Sequence, residues 1–201
     1  MINIALSKGR IANNFIDILV EKRLIDEKPD IDRKLLFRYP NMSVMIARSC
    51  DLPVILDSNI ANMAVIGSDV IEESCPNKYT ELMDLGTGKC TFVLASLPNI
   101  SLESIKVIAT KYPNIAKRYL DELKIQCEVI KMNGCLELYP NIGLSDGIID
   151  LVETGSTLKA NGLIKLKSFD PISTRIITTK DNSSNDEIIR LIKRIKNTNN
   201  C

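Results

Sequence analysis

Short apolar runs of strand length alternate with amphipathic helical patterns along most of this 201-residue chain, and that alternation restricts the fold more than any other feature. Residues 2–6 form an apolar run, and Ile11, Phe15, Ile18 and Leu19 then recur at the spacing of a buried helix face. Residues 35–39 and 44–48 predict a hairpin around Pro40 and Asn41. Residues 64–66 predict a short buried strand, residues 67–69 a turn opening a helix, and residues 91–97 a long apolar strand. Pro98, Asn99, Ile100 and Ser101 read as a boundary, after which the pattern restarts. A strand is expected over 105–109, a helix over 112–124 with Ile115, Tyr119 and Leu123 inward, a strand over 127–132 and a turn at Asn133 and Gly134. Residues 147–152 and 172–179 predict further strands. A last helix over 186–196 puts Ile188, Leu191, Ile192 and Ile195 on one face, which reads as core, with Lys193, Arg194 and Lys196 at the end where cations suit the dipole. Residues 197–201 read as a frayed tail. The expected architecture is α/β with largely parallel sheets, two strand-rich lobes with a ligand cleft between them.

Composition narrows the chemistry. The length suffices for one large domain or two small lobes with a real core. A net charge of +1 gives no bulk attraction to nucleic acid or to a membrane surface. Trp is absent, and five Tyr with four Phe do not make a base-stacking surface. No apolar run approaches the ~20 residues of a spanning helix, and the first run is too short for a signal-peptide core, so a cytoplasmic location is expected. With no histidine, Ser-His and Cys-His nucleophilic pairs are impossible. The six cysteines include no C-x-x-C pair and read as reduced core thiols rather than as a zinc site. Any catalysis must therefore rest on charge, positioning and carboxylates.

Residues 146–163 carry the richest signal. An apolar strand bearing Asp150 runs through Glu153 into Thr154-Gly155-Ser156-Thr157. Gly155 allows a turn with inward N–H groups, three hydroxyls add donors, and a following helix would aim its positive end at an anion. The two acids suit ribose hydroxyls or a divalent cation. Such a turn also serves as an ordinary αβ connection. Ser7-Lys8-Gly9-Arg10 sits at the carboxyl end of the first strand, where open α/β sheets bind ligands, and its cations suit a pyrophosphate. Arg48 reads equally as a second anion clamp or as an ion pair with Asp51. Gly67-Ser68-Asp69 reads on its own as an N-cap and nest. Gly86-Thr87-Gly88-Lys89 lacks the spacing of a P-loop and reads as a hairpin or hinge turn.

In this order the segments resemble the catalytic chain of the short-form ATP phosphoribosyltransferase family, the first enzyme of histidine biosynthesis. The resemblance runs from residues 5–10 through Arg48 with Asp51-Leu52-Pro53, residues 66–69, 81–86 and 109–114, Asn133-Gly134 with Glu137-Leu138, to residues 150–158 and 161–163. It implies a two-lobed fold like type II periplasmic binding proteins, lobe I over residues 1–90 and 172–201 and lobe II over 91–171. It implies transfer of the phosphoribosyl group of phosphoribosyl pyrophosphate to N1 of ATP, with Mg²⁺ held mainly by substrate phosphates. Asp150, Glu153, Thr154, Gly155, Ser156 and Thr157 would bind phosphoribosyl pyrophosphate. Lys8 and Arg48 would be catalytic, and Gly9, Arg10 and Asp69 would face ATP. The chain departs from the family pattern at Ser58, Asn62 and Cys135. Since the chain stops at Cys201, with neither length nor strand pattern for a histidine-sensing domain, a separate regulatory subunit resembling histidyl-tRNA synthetase is expected. A non-catalytic nucleotide- or anion-binding module of the same fold and a phosphoribosyltransferase with another acceptor are the alternatives.

Overall fold

The computed structural model describes residues 1–74 and 76–197; the expected tail from 198 onward lies outside the described residues. The chain forms two units, Met1–Gly88 together with the chain from Ser173 onward, and Lys89–Ile172. The first contains β1 (Ile2–Ser7), α1 (Arg10–Glu21), β2 (Leu36–Arg38), β3 (Met42–Ala47), α2 (Leu52–Asp57), β4 (Met63–Gly67), α3 (Ser68–Ser74) and β5 (Thr80–Asp84). The second contains β6 (Cys90–Ser96), β7 (Val107–Thr110), α4 (Pro113–Glu122), β8 (Glu128–Lys131), β9 (Gly147–Val152), α5 (Ser156–Ala160) and β10 (Ile164–Ile172). Strand β11 (Thr174–Thr178) and α6 (Asp186–Lys196) complete the first unit.

The first unit's sheet has the order β2-β3-β1-β4-β11-β5, with β1 parallel to β3 and β4 and the outer pairs antiparallel. The second unit's sheet is β10-β6-β9-β7-β8, with β7 parallel to β8 and β9, and β6 antiparallel to β9 and β10. The sheets are thus mixed rather than largely parallel. The strands that carry the chain from one unit to the other, β6 and β11, are inserted antiparallel to their neighbours.

Each sheet is covered on both faces, which is why its central strands read as continuous apolar runs. In the first unit α1 and α6 pack Phe15, Ile16, Leu19, Ile188 and Leu191 on one face, while Leu52, Leu56 and Val70 cover the other. In the second, Ile115 and Tyr119 of α4 cover one face and Leu158 of α5 the other. The α1 stripe is rotated from the expected one: Ala12, Phe15, Ile16 and Leu19 are buried, and Ile11 and Ile18 lie at its margin. The α6 stripe is buried as expected, and Asn185 caps this helix by accepting from the N–H groups of Glu187 (2.9 Å) and Ile188 (3.4 Å). Ile188→Ala is expected to cost about 2–5 kcal/mol as a large-to-small core change, and Asn185→Ala about 1 kcal/mol as a lost cap. Urea unfolding reads both; equal, negligible losses would take α6 out of the core.

Three elements escape the sequence reading. β5 and β10 are edge strands, and edges carry charges and proline that erase the apolar pattern. β10 has Lys165, Lys167 and Pro171, is mostly exposed, and its pairing with β6 shifts register twice. α2 is only six residues long and follows a 3-10 turn at Ser49–Asp51. Pro98, Asn99, Ile100 and Ser101 lie inside the second unit rather than at a boundary. Ser101 instead forms a capping box with Ser104 on the short turn Leu102–Ser104, a local use of the same polar residues. Cys50 and Cys135 are exposed, not core thiols; Cys90 and Cys127 are half-buried. Burial, and then the Asp146 carboxylate, raise the Cys127 thiol above its ordinary pKa.

Candidate active site

The carboxyl edge of the first unit's parallel strands gathers three of the segments singled out above. β1 and β3 run in register from Ile2 beside Met42 to Ser7 beside Ala47, and the Lys8 N–H donates to the Ala47 carbonyl at 2.8 Å. Lys8 and Arg48 therefore leave adjacent strands side by side, although 40 residues separate them. The register of β1 with β4, Leu6 beside Val65, sets Gly67 level with Lys8 on the opposite flank. Lys8, Arg10 and Arg48 are exposed. The ion pair that Arg48 was free to make with Asp51 is not formed; Asp51 accepts from the Cys50 thiol at 3.5 Å instead.

Gly9 shapes this edge. Its φ of 99° and ψ of −141° lie where side chains are disfavoured, and it is the residue that turns β1 into α1. An added Cβ would meet nothing within 4 Å, so backbone conformation rather than space selects glycine. Asp69, in the first turn of α3, is buried at 8% exposure and folds its carboxylate back over Gly67, where an added Cβ would strike it. Ser68 is tied to the returning chain, its N–H donating to the Ser173 carbonyl at 3.0 Å. The departures Ser58 and Asn62 lie elsewhere. The Asn62 side chain accepts from the Asn3 N–H at 2.8 Å, and Ser58 closes α2 by donating to the Val54 carbonyl at 2.8 Å. Asn3 is the second residue of β1, so at ~3.3 Å per residue position 62 sits roughly 16 Å from Lys8, at the amino ends of the parallel strands.

In the second unit β9 delivers the acidic strand end. Asp150 is half-buried and accepts from the Leu151 N–H at 2.8 Å; Glu153 is exposed. Gly155 adopts φ 81° and ψ 4°, the left-handed conformation, and starts α5. Thr154 and Ser156 hydroxyl oxygens lie 3.0 Å apart, and the Ser156 N–H reaches the Thr154 hydroxyl at 3.4 Å. Thr154, Ser156 and Thr157 are all exposed. Only five residues long, α5 offers the unpaired N–H groups of a first turn rather than a long dipole. Leu158 pins it to Val93, Ala95 and Ile148. A cleft of about 270 Å³ opens beside the loop; Val93, Val152 and Leu163 wall it, and Thr91, Lys159 and Lys165 bring polar ends into it. Lys159 and Lys165 were not singled out in the sequence. Lys159 lies four residues after Gly155 and returns to the loop on the helix face, a spacing that signals it; Lys165 comes from β10, which had no readable pattern.

Among the described residues no helix is long and apolar enough to cross a membrane. The ATP phosphoribosyltransferase family model matches residues 48–197. The ATP phosphoribosyltransferase of Lactococcus lactis subsp. cremoris is 37% identical over 205 residues, covering 98% of each chain. Among solved structures, the ATP phosphoribosyl transferase (HisG:HisZ) complex from Thermotoga maritima matches with a TM-score of 0.84 and 27% identity over 97% of this chain and 96% of the other. The periplasmic aliphatic sulphonate binding protein SsuA of Escherichia coli shares the fold alone, at TM-score 0.61 and 11% identity over 96% of this chain and 70% of the other. The two-unit α/β architecture is thus that of periplasmic-binding-protein-like folds, and by its family match and its end-to-end similarity the chain belongs to the ATP phosphoribosyltransferase family.

Proposed function

We propose that the chain transfers the phosphoribosyl group of phosphoribosyl pyrophosphate to N1 of ATP, giving phosphoribosyl-ATP and pyrophosphate, the first step of histidine biosynthesis. One observation carries the reading: the strand-loop-helix from Asp150 to Thr157, an anion cradle with two acids at its lip, lies in a chain similar throughout its length to named ATP phosphoribosyltransferases.

In this reading the turn from Glu153 to Thr157 holds the 5-phosphate, with Asp150 and Glu153 beside the ribose hydroxyls. Lys8 and Arg48, adjacent and exposed on one sheet edge, stabilise charge on the departing pyrophosphate. Gly9 lets the β1–α1 turn approach ATP, Arg10 adds a cation, and Asp69 borders the nucleotide. Bond formation joins adenine N1 to the anomeric carbon as the bond to pyrophosphate breaks, through an oxocarbenium-like state. The nucleophile is already an uncharged ring nitrogen, so no base is needed to create it. Rate enhancement then comes from holding two polyanions in line and from preorganised cations, which a chain without histidine can supply. Among the described residues no three acids, thiols or imidazoles cluster as a metal cage. Asp150 and Glu153, the carboxylates at the end of β9, would touch Mg²⁺ held mainly by substrate phosphates. When bound, the ion neutralises pyrophosphate charge.

The chain works in the cytoplasm, with a separate regulatory subunit resembling histidyl-tRNA synthetase. A two-component complex as the solved Thermotoga maritima relative supports the partnership. Pyrophosphate release by the purified chain should require ATP and phosphoribosyl pyrophosphate together, and should rise and become histidine-sensitive when the partner is added. Full activity of the isolated chain with inhibition by histidine alone would contradict a separate regulatory subunit.

A further inference from the structure

Thr110 ends β7 and is fully buried, yet its hydroxyl is engaged twice. It donates to the Ile149 carbonyl at 2.6 Å and accepts from the Tyr112 N–H at 3.0 Å. Its own carbonyl accepts from the Met132 N–H at 2.9 Å. One residue therefore ties together the ends of β7, β8 and β9. The pairing of β7 with β9 stops at Thr110 beside Ile149, and the hydroxyl adds one further link there. Ile149 immediately precedes Asp150, so this link is the last lateral restraint from β7 before the acidic strand end and its loop. On its other side Tyr112 packs edge-on against Phe92, with ring centroids 5.1 Å apart, so the strut is anchored in the core.

We propose that Thr110 is a positioning residue for the phosphoribosyl site: its hydroxyl fixes the end of β9 so that Asp150 and the turn from Glu153 to Thr157 meet a sugar phosphate in one geometry. This rests on the reading of that turn given above. Thr110→Val keeps the shape but removes the hydroxyl that links the Ile149 carbonyl to the Tyr112 N–H, and a lost bond between buried groups leaves the end of β9 without that tie. Thr110→Ser retains the hydroxyl. Ser96 supplies an internal control. It is equally buried, pairs with the first residue of β9, and donates to the Asp146 carbonyl, so Ser96→Ala removes a comparable bond from the far end of the same strand.

The test combines calorimetric titration of phosphoribosyl pyrophosphate, steady-state kinetics and thermal unfolding on the full chain. Thr110→Val should raise Kd and KM for phosphoribosyl pyrophosphate about ten- to a hundredfold, the scale expected for a misplacement near 1 Å. KM for ATP should stay unchanged, Thr110→Ser should restore wild-type binding, and Ser96→Ala should lower Tm without moving Kd. If Thr110→Val does not fold, Thr110→Cys carries the same comparison. The proposal is overturned if Thr110→Val binds like wild type, or if Ser96→Ala weakens binding as much. A wild-type chain that binds phosphoribosyl pyrophosphate but makes no phosphoribosyl-ATP would sink the functional reading and leave this one standing.

Discussion

Arg48→Ala is expected to lower kcat by about 10²–10³-fold, the usual cost of removing one preorganised donor at developing charge. The side chain is exposed and follows β3, and Asp51 does not pair with it, so truncation removes no buried contact. Tm should move little, because surface substitutions away from such contacts stay within about ±0.5 kcal/mol. Lys8→Ala should act similarly, since parallel pairing sets the two cations side by side. Their effects should be less than additive in the double variant if both face one pyrophosphate. A sharp fall in Tm with normal activity per folded molecule would instead make Arg48 a structural ion-pair residue.

The second large effect belongs to the phosphate turn. Gly155→Val introduces a β-branched residue at a φ of 81°, a conformation that costs roughly 1–3 kcal/mol for such side chains. Space is no obstacle, because the nearest atom to an added Cβ is Val152 Cγ1 at 3.8 Å. The loop can therefore escape only by changing its backbone, and with it the direction of the N–H groups. KM for phosphoribosyl pyrophosphate should rise about 10²-fold as the anion loses its aligned donors, and Thr157→Ala, which removes one hydroxyl, should give a smaller rise. Gly147 is the contrast: a Cβ there would lie 2.9 Å from the Ala95 carbonyl, so Gly147→Ala should weaken the sheet without retuning the loop. Unchanged kinetics in both Gly155→Val and Thr157→Ala would remove the turn from the site.

What the sequence made legible was local. The β9 run ends in a cluster of turn residues, and α6 carries a clean apolar stripe between an asparagine cap and terminal cations, so both could be read directly. The edge strands β5 and β10 could not, because one side of an edge faces solvent, and Glu81 and Asp84 in β5, like Lys165, Lys167 and Pro171 in β10, interrupt an apolar pattern. Adjacency was equally hidden. Nothing in residues 8 and 48 says that they share a sheet edge until β1 and β3 pair in parallel, and nothing in Thr110 marks it until its hydroxyl is seen to reach Ile149. Asn62 is a further case: its side chain clasps the backbone of Asn3, 59 residues away in the chain, and no local pattern announces it.

The most direct measurement is the identity of the product. The purified chain, with its regulatory partner, is incubated with ATP, phosphoribosyl pyrophosphate and Mg²⁺, and the nucleotide product is analysed by mass spectrometry and by NMR of the adenine ring. One new nucleotide carrying a phosphoribosyl group on N1 is expected, formed in equal amount with pyrophosphate and, at limiting phosphoribosyl pyrophosphate, made far more slowly by the Gly155→Val variant. Binding of both substrates without that product, or phosphoribosyl transfer to an acceptor other than ATP, would contradict it.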